Sequence, residues 1–228
     1  MLPRVLETEV MDTAEEASEY NAMDHSEVNR AFVEDWIRAW TAFFMPTGLT
    51  QVLDVGTGTA LIPIEFCRHT DLVHIAAVDL ADEMLLLAKR NVEAAGLEAR
   101  IALERMDAKR LPFKDGEFDS VVSNSIIHHI PEPLVSLQEM IRVLRPGGML
   151  FVRDLYRPES EEIVESLVER YAGLETPRQK QLFRQSFHAA LTVPEVEILL
   201  AGAGLSPSSV SMTSDRHWTI AAVKPGTP

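Results

Sequence analysis

Basic residues are scarce in this chain of 228. Lys and Arg number 21 against 35 Asp and Glu, so the formal charge at neutral pH is 21 − 35 = −14. Gripping a phosphate backbone rests on clustered Lys and Arg, so this balance argues against nucleic acid as a partner. Cysteine is nearly absent too. Cys67 stands alone, which excludes an intrachain disulfide and a four-cysteine zinc site. Long apolar runs are missing, and no stretch reaches the roughly 18 residues that a membrane span needs. The opening MLPRVLETEVMDTAEEASEY is acidic and has no apolar core of signal-peptide length. A soluble cytoplasmic protein with no membrane partner is the expectation. Repeats, low-complexity tracts and Pro- or Ser-rich linkers are also absent.

What is present is an ordinary globular composition, 46% apolar and 25% charged. At roughly 150 residues per domain, the length suggests one domain with an elaboration. Residues 12–20 are compatible with a short helix. Phe32, Val33, Trp36, Ile37, Trp40, Phe43 and Phe44 then recur at steps of one, three and four. That spacing predicts an amphipathic helix from near Ser26, its N-cap, to Met45, with Pro46 stopping it.

From residue 50 apolar runs alternate with helical patterns. Strands are predicted at 51–55, 73–79, 99–105, 118–124 and 149–155, the last after a Pro146-Gly147-Gly148 turn. Helices are predicted up to Arg68, at 82–95 with Gly96 as the stop, and at 133–144. Residues 159–204 read as three more polar helical pieces. SVSMTS (209–214) and HWTIAAV (217–223) read as a terminal hairpin. Strands alternating with helices imply an α/β fold with a parallel sheet covered on both faces. Ligands in such folds bind beyond the carboxyl ends of the strands, so residues just after each strand carry the interest.

Directly after the first strand stands Asp54-Val55-Gly56-Thr57-Gly58-Thr59-Ala60. Glycines at that turn let backbone approach a ligand and adopt positive φ. Asp79 ends the second strand, 23 residues past Gly56. A carboxylate there can accept both ribose hydroxyls of an adenosine-containing ligand. The plainer alternative is a solvated Asp before the helix at Asp82.

In this order the motifs resemble class I S-adenosylmethionine (SAM)-dependent methyltransferases of the small, single-domain type, over about residues 50–155. VLDVGTGTA is similar to the family's glycine loop and AVDLADEML to its strand-two acidic motif. RMDAKRLPF, FDSVVSNSIIHHI and LRPGGMLFVRD match the segments around strands three, four and five. The resemblance implies a Rossmann-like, doubly wound, mostly parallel seven-stranded sheet with an antiparallel C-terminal strand. N-terminal helices and a helical insert after strand five would be added to it. It implies SAM as cofactor and S-adenosylhomocysteine (SAH) as product. Asp54, Gly56, Thr57 and Gly58 would contact the cofactor at the loop, Asp79, Leu80 and Met84 at strand two, Asp107 and Ala108 at the adenine, and Asn124 at strand four. An N-terminal helix closes over the cofactor in small members, which would bring Tyr20 and Met23 to the methyl-donor pocket. One departure is Ala60, where the family often has a third Gly. Ala is the least intrusive replacement, harmful only where φ must be positive.

Other cofactors and chemistries fit less well. The nicotinamide fingerprint, Gly-x-Gly-x-x-Gly, would need Gly where Leu61 stands. Ser125 and Ile126 stand where methyltransferases acting on amide or nucleobase nitrogens carry two prolines. His129 is a candidate general base, because imidazole titrates near neutrality. The alternative is that it packs over the cofactor or caps the next helix. Asp154 is a candidate to orient substrate or to form a structural ion pair. Arg184 and His188 are candidates to reach a substrate carboxylate, while Glu65, Arg68 and His69 read as a solvated face. No cluster with metal-ligand spacing is evident.

The division expected is one domain over 1–228: an N-terminal helical lid at 1–48, a SAM-binding core at 49–156, an insert at 157–205 acting as substrate lid, and the hairpin at 206–228. The expected activity is methyl transfer to a small-molecule acceptor by in-line displacement, in a monomer or homodimer. The alternatives are a SAM- or SAH-binding regulatory protein without transferase activity, and a methyltransferase acting on protein or RNA.

Overall fold

The computed structural model describes residues 2–8, 12–23, 25–43 and 48–226. Seven strands form one sheet: β1 (Thr50–Val55), β2 (Val73–Asp79), β3 (Ile101–Arg105), β4 (Phe118–Asn124), β5 (Leu144–Leu155), β6 (Val210–Met212) and β7 (His217–Val223). Their order is β3-β2-β1-β4-β5-β7-β6. The first five run parallel, and β7 is antiparallel to both β5 and β6. The strand order reverses between β1 and β4, which puts a ligand crevice beyond their carboxyl ends. The Rossmann-like sheet expected from the sequence is therefore the one that forms.

The central strands are apolar on both faces because helices cover both. Val52, Val122, Met149 and Phe151 point toward α2 (Ser26–Phe43), α3 (Leu61–His69) and α4 (Asp82–Ala95). Leu53, Val121, Leu150 and Val152 alternate with them and meet α5 (Pro133–Val143) and α8 (Val193–Gly202). Within the first layer, the buried Trp36 indole donates to Ser120 Oγ at 2.9 Å, fixing α2 across β4.

Several boundaries differ from the sequence reading. The short N-terminal helix α1 is Ala14–Ala22. Helix α2 runs to Phe43, and Met45 and Pro46 lie outside the described residues. β3 starts at Ile101 because Gly96, at φ 67, ends α4 and the Arg100 and Ile101 amides turn back to Leu97 O. Pro146-Gly147-Gly148 is not a turn ahead of the fifth strand but a bulge within it. Pairing jumps from Phe118↔Leu144 to Ser120↔Met149, and Gly147, at φ 74, donates its amide to Lys224 O. Of the expected 209–214 strand only 210–212 pairs. The Thr213 and Ser214 amides instead bond His217 O in the turn.

After β5 come α6 (Glu161–Ala172) and α7 (Pro177–Ala189), which share a small core of Leu155, Val164, Leu167, Val168, Phe187 and Ala190. Capping boxes start α7 at Thr176/Gln179 and α8 at Thr192/Glu195. The N-terminal strap, residues 2–8, joins this insert. Leu2 packs on its core, and the Val5 amide donates to His188 O at 2.9 Å. Helix α1 sits over the start of α4, where Ala17, Ala81 and Met84 are buried together with Tyr20 packed against them. Among the described residues no helix is long and apolar enough to cross a membrane.

Candidate active site

The pairing Val55↔Val78 sets the loop after β1 beside the end of β2. Gly56 and Thr57 both donate to Val78 O, at 2.8 and 2.9 Å. Asp79 completes the joint, with Oδ2 accepting from the Gly58 amide at 2.7 Å and Oδ1 from Ala81 at 2.9 Å. Asp79 is thus neither a solvated side chain nor a mere lead-in to α4. It is the strut that holds the glycine loop.

The loop needs left-handed backbone at three places: Gly56 (φ 75), Gly58 (φ 55) and Ala60 (φ 61). The expectation that Ala60 is harmless therefore fails on conformation, since a Cβ in this region costs about 1–2 kcal/mol. A Cβ on Gly56 would meet Ile126 Cγ2 at 2.2 Å, and one on Gly58 would meet the Tyr20 ring at 3.9 Å.

Polar atoms go unmatched around this loop. Asp54 Oδ2, Thr57 Oγ1 and Thr59 Oγ1 are buried without a hydrogen-bond partner among the described residues. Such atoms are rare in folded proteins unless a ligand or water meets them. Burial, reinforced by the Asp79 charge, pushes the Asp54 carboxyl up to about 7, with the nearby Thr57 hydroxyl opposing. Burial also raises Asp79, against the amides of Ala81 and Gly58. Tyr20 is pushed up to about 12 by burial and by the charges of Asp79 and Asp54. A carboxyl-rich, partly unmatched cradle of this kind fits a cationic ligand that also carries hydroxyls.

The remaining cofactor candidates lie on or just after α1, on α4, and at or just after the ends of β2, β3 and β4. Tyr20, on α1, stacks on His25 with centroids 4.5 Å apart, and half-buried Met23 lies just past the end of that helix. Met84 lies buried beneath α1, and Leu80 gives its carbonyl to Arg105 Nε. The Met106 amide donates to Asp79 O, which brings the segment after β3 alongside. Asp107 there accepts from the Lys109 amide at 2.9 Å, and Ala108 packs on the sheet core. Asn124 ends β4, half-buried and opposite Arg153, and Ser125 beyond it is held at φ 59. Asn91 links α4 to Asn21 and to Thr59 O. A groove of about 700 Å³ between α4 and β3 includes none of these candidates.

A second cluster follows β4, where Ile127–His129 form a single 3-10 turn. Asp154 is fully buried and accepts from His128 Nδ1 at 2.5 Å, from the His128 amide at 3.0 Å and from the Leu155 amide at 2.6 Å. Of the two readings of Asp154, the geometry bears out the structural pair. From the strap, Glu7 Oε1 lies 3.3 Å from His128 Nε2 and 3.2 Å from His129 Nδ1. Glu7, His128 and His129 thus present three ligand-type atoms within 4.8 Å of one another. This corrects the sequence expectation that no metal-like cluster exists. The signal was out of reach because Glu7 is 121 residues before His128 in the chain.

Burial opposes charge on His128, but the charge and hydrogen bond of Asp154, then the charge of Glu7, outweigh it and raise its pKa. Burial and the neighbouring His128 drive His129 down to about 4. Burial raises Glu7, partly offset by His128. His129 does not cap α5, whose N-cap is Glu132.

Other polar side chains are engaged elsewhere. Arg153 donates to Asp35 at 2.6 Å and to Thr219 at 2.9 Å. Arg184 pairs with Glu165, and His188 Nε2 lies 3.4 Å from Glu161. Glu65 holds both Arg68 and His69, but its own side chain is only 13% exposed, so it is less solvated than the sequence reading expected.

The doubly wound sheet, with its glycine loop tied to a strand-two carboxylate, is the fold of solved SAM-dependent methyltransferases. Residues 53–152 match the family model for a methyltransferase domain, and this part of the chain is such a domain. The demethylmenaquinone methyltransferase of Porphyromonas gingivalis is 35% identical over 126 residues, covering 55% of this chain and 51% of that protein. The 27-O-demethylrifamycin SV methyltransferase of Amycolatopsis mediterranei is 28% identical over 176 residues, covering 75% of this chain and 61% of that protein. The crystal structure of a SAM-dependent methyltransferase from Aquifex aeolicus shares the fold, with TM-score 0.67, 20% identity and coverage of 92% and 98%. The chain spans about half the length of the first curated relatives it matches.

Proposed function

We propose that the protein transfers the methyl group of SAM to a small-molecule acceptor. The joint between the glycine loop and Asp79, ringed by the unmatched Asp54, Thr57 and Thr59 atoms, carries this reading. When bound, the cofactor supplies an electrophilic methyl carbon on a sulfonium centre. Asp79 keeps lone pairs for ribose hydroxyls. Asp54 and the loop face the amino-acid end, and Asp107 and Ala108 face the adenine. Leu80, Met84 and Asn124 line the crevice between them. Tyr20 and Met23 close the N-terminal side and exclude water. Holding the acceptor in line is the main catalytic task, and such positioning supplies roughly 7–11 kcal/mol.

The small-molecule class rests on three supports. The charge of −14 is unsuited to a phosphate backbone. The two relatives named above act on a demethylmenaquinone and a demethylated rifamycin. The strap, bonded through Arg4 to the His128 and Ile130 carbonyls after β4, and the α6–α7 pair after β5 lie where a roof would select a small acceptor.

Calorimetric titration with SAH, with NADH alongside, tests the reading. SAH is expected to bind at micromolar affinity and NADH not at all. Asp79→Ala is expected to weaken SAH by about 1.5–3 kcal/mol, the scale of a charge-assisted hydrogen bond. An unchanged affinity in that variant, or a response to NADH alone, would overturn the reading.

A further inference from the structure

Glu7, His128 and His129 cluster at the turn after β4. We propose that they form a binding site for a divalent metal ion of the zinc class, which clamps the N-terminal strap onto the turn after β4.

The distances have the right size. Zinc bonds to imidazole nitrogen and carboxylate oxygen are about 2.0–2.1 Å, which sets the edges of a tetrahedron at about 3.3 Å. Glu7 Oε1 lies 3.3 Å from His128 Nε2 and 3.2 Å from His129 Nδ1. Those separations are short enough for hydrogen bonds, yet Glu7 Oε1 is buried and makes none among the described residues.

The outer shell has the form of a metal site. Ligating histidines almost always give their second ring N–H to a carboxylate or carbonyl, which fixes the tautomer and the ring plane. Asp154 does this for His128 and is itself locked by two backbone amides. His129 departs from this form: its Nδ1, the nitrogen nearest Glu7, is the one hydrogen-bonded to the Thr8 carbonyl at 3.4 Å, so a metal would have to displace that proton. The strap is held in place independently of Glu7. Arg4 donates to the carbonyls of Ala189, His128 and Ile130, so its charge is already engaged on the protein backbone. Two imidazoles and one carboxylate are borderline ligands that suit zinc and its neighbours better than calcium or magnesium. Three protein ligands leave a fourth position open.

The test uses the full chain without a histidine tag, stripped with chelator and titrated with Zn²⁺ against a chromophoric competitor. One Zn²⁺ per chain is expected, together with a rise in melting temperature. Glu7→Gln and His129→Gln are each expected to weaken it at least tenfold and to abolish the thermal shift. His69→Gln, in the surface pair with Glu65, is the control and keeps the affinity. Circular dichroism verifies that the variants remain folded, and Glu7→Gln, the milder change, decides the matter if His129→Gln does not fold. No stoichiometric Zn²⁺, or binding that survives Glu7→Gln, would overturn the proposal.

Discussion

Asp54 sits in β1 with a carboxylate oxygen facing no partner, and its proton is held up to about 7 against an ordinary 3.8. A group that binds its proton more tightly folded than unfolded favours the fold at low pH. That contribution is lost as pH climbs from the unfolded value to the folded one. The ligand-free protein is therefore expected to lose stability between about pH 4 and about pH 7 on account of Asp54. Urea denaturation should show a smaller loss in Asp54→Asn over the same window. An ammonium beside the ionised carboxyl reverses the balance, so SAH affinity should rise across that window with proton release. Calorimetry in buffers of different ionisation heat reads this, and a flat profile would remove Asp54 from the site. Gly56 is a second position where one atom decides. A Cβ there has both φ 75 and Ile126 at 2.2 Å against it. Gly56→Ala is expected to cost about 1–3 kcal/mol in denaturant titration. Ile126→Ala in the same chain should recover the steric part and leave the backbone part. Equal losses in both backgrounds would mean that Ile126 is not the obstacle.

Helix α1 and the strap are the elements whose role depends most on tertiary contact. Among the described residues, the two large cores draw on nothing before Phe32. Residues 2–23 contribute instead Leu2 to the insert, Ala17 and Tyr20 to the start of α4, and Glu7 to the histidine turn. Deleting residues 1–25 is therefore expected to leave the sheet folded while SAH affinity falls, as seen by circular dichroism and calorimetry together. Unchanged affinity would show that α1 is no part of the closure. Legibility differed sharply between elements. Strands β1, β2 and β4 stood out because buried parallel strands are nearly continuous apolar runs. The break inside β5 was hidden because Pro-Gly-Gly signals a turn. Only the neighbouring strand shows that Leu144 already pairs with Phe118.

Across the whole molecule, local pattern and long-range placement divide the determination. Residue order alone settled the class of fold, because alternating strands and helices bury their apolar faces in few ways. It also marked the glycine loop and Asp79, since both lie at strand ends, where local geometry demands small or acidic residues. Tertiary structure decided the rest. Ala60 proved left-handed in a loop that Asp79, on a different strand, holds by the Gly58 amide. Asp154 proved a partner of His128 because β4 and β5 lie side by side, with Asn124 opposite Arg153. Glu7 joined the two histidines from a segment with no periodicity to announce it. Sequence pattern reports which face an element buries. It does not report which distant side chain arrives there, because that contact depends on how the whole chain packs.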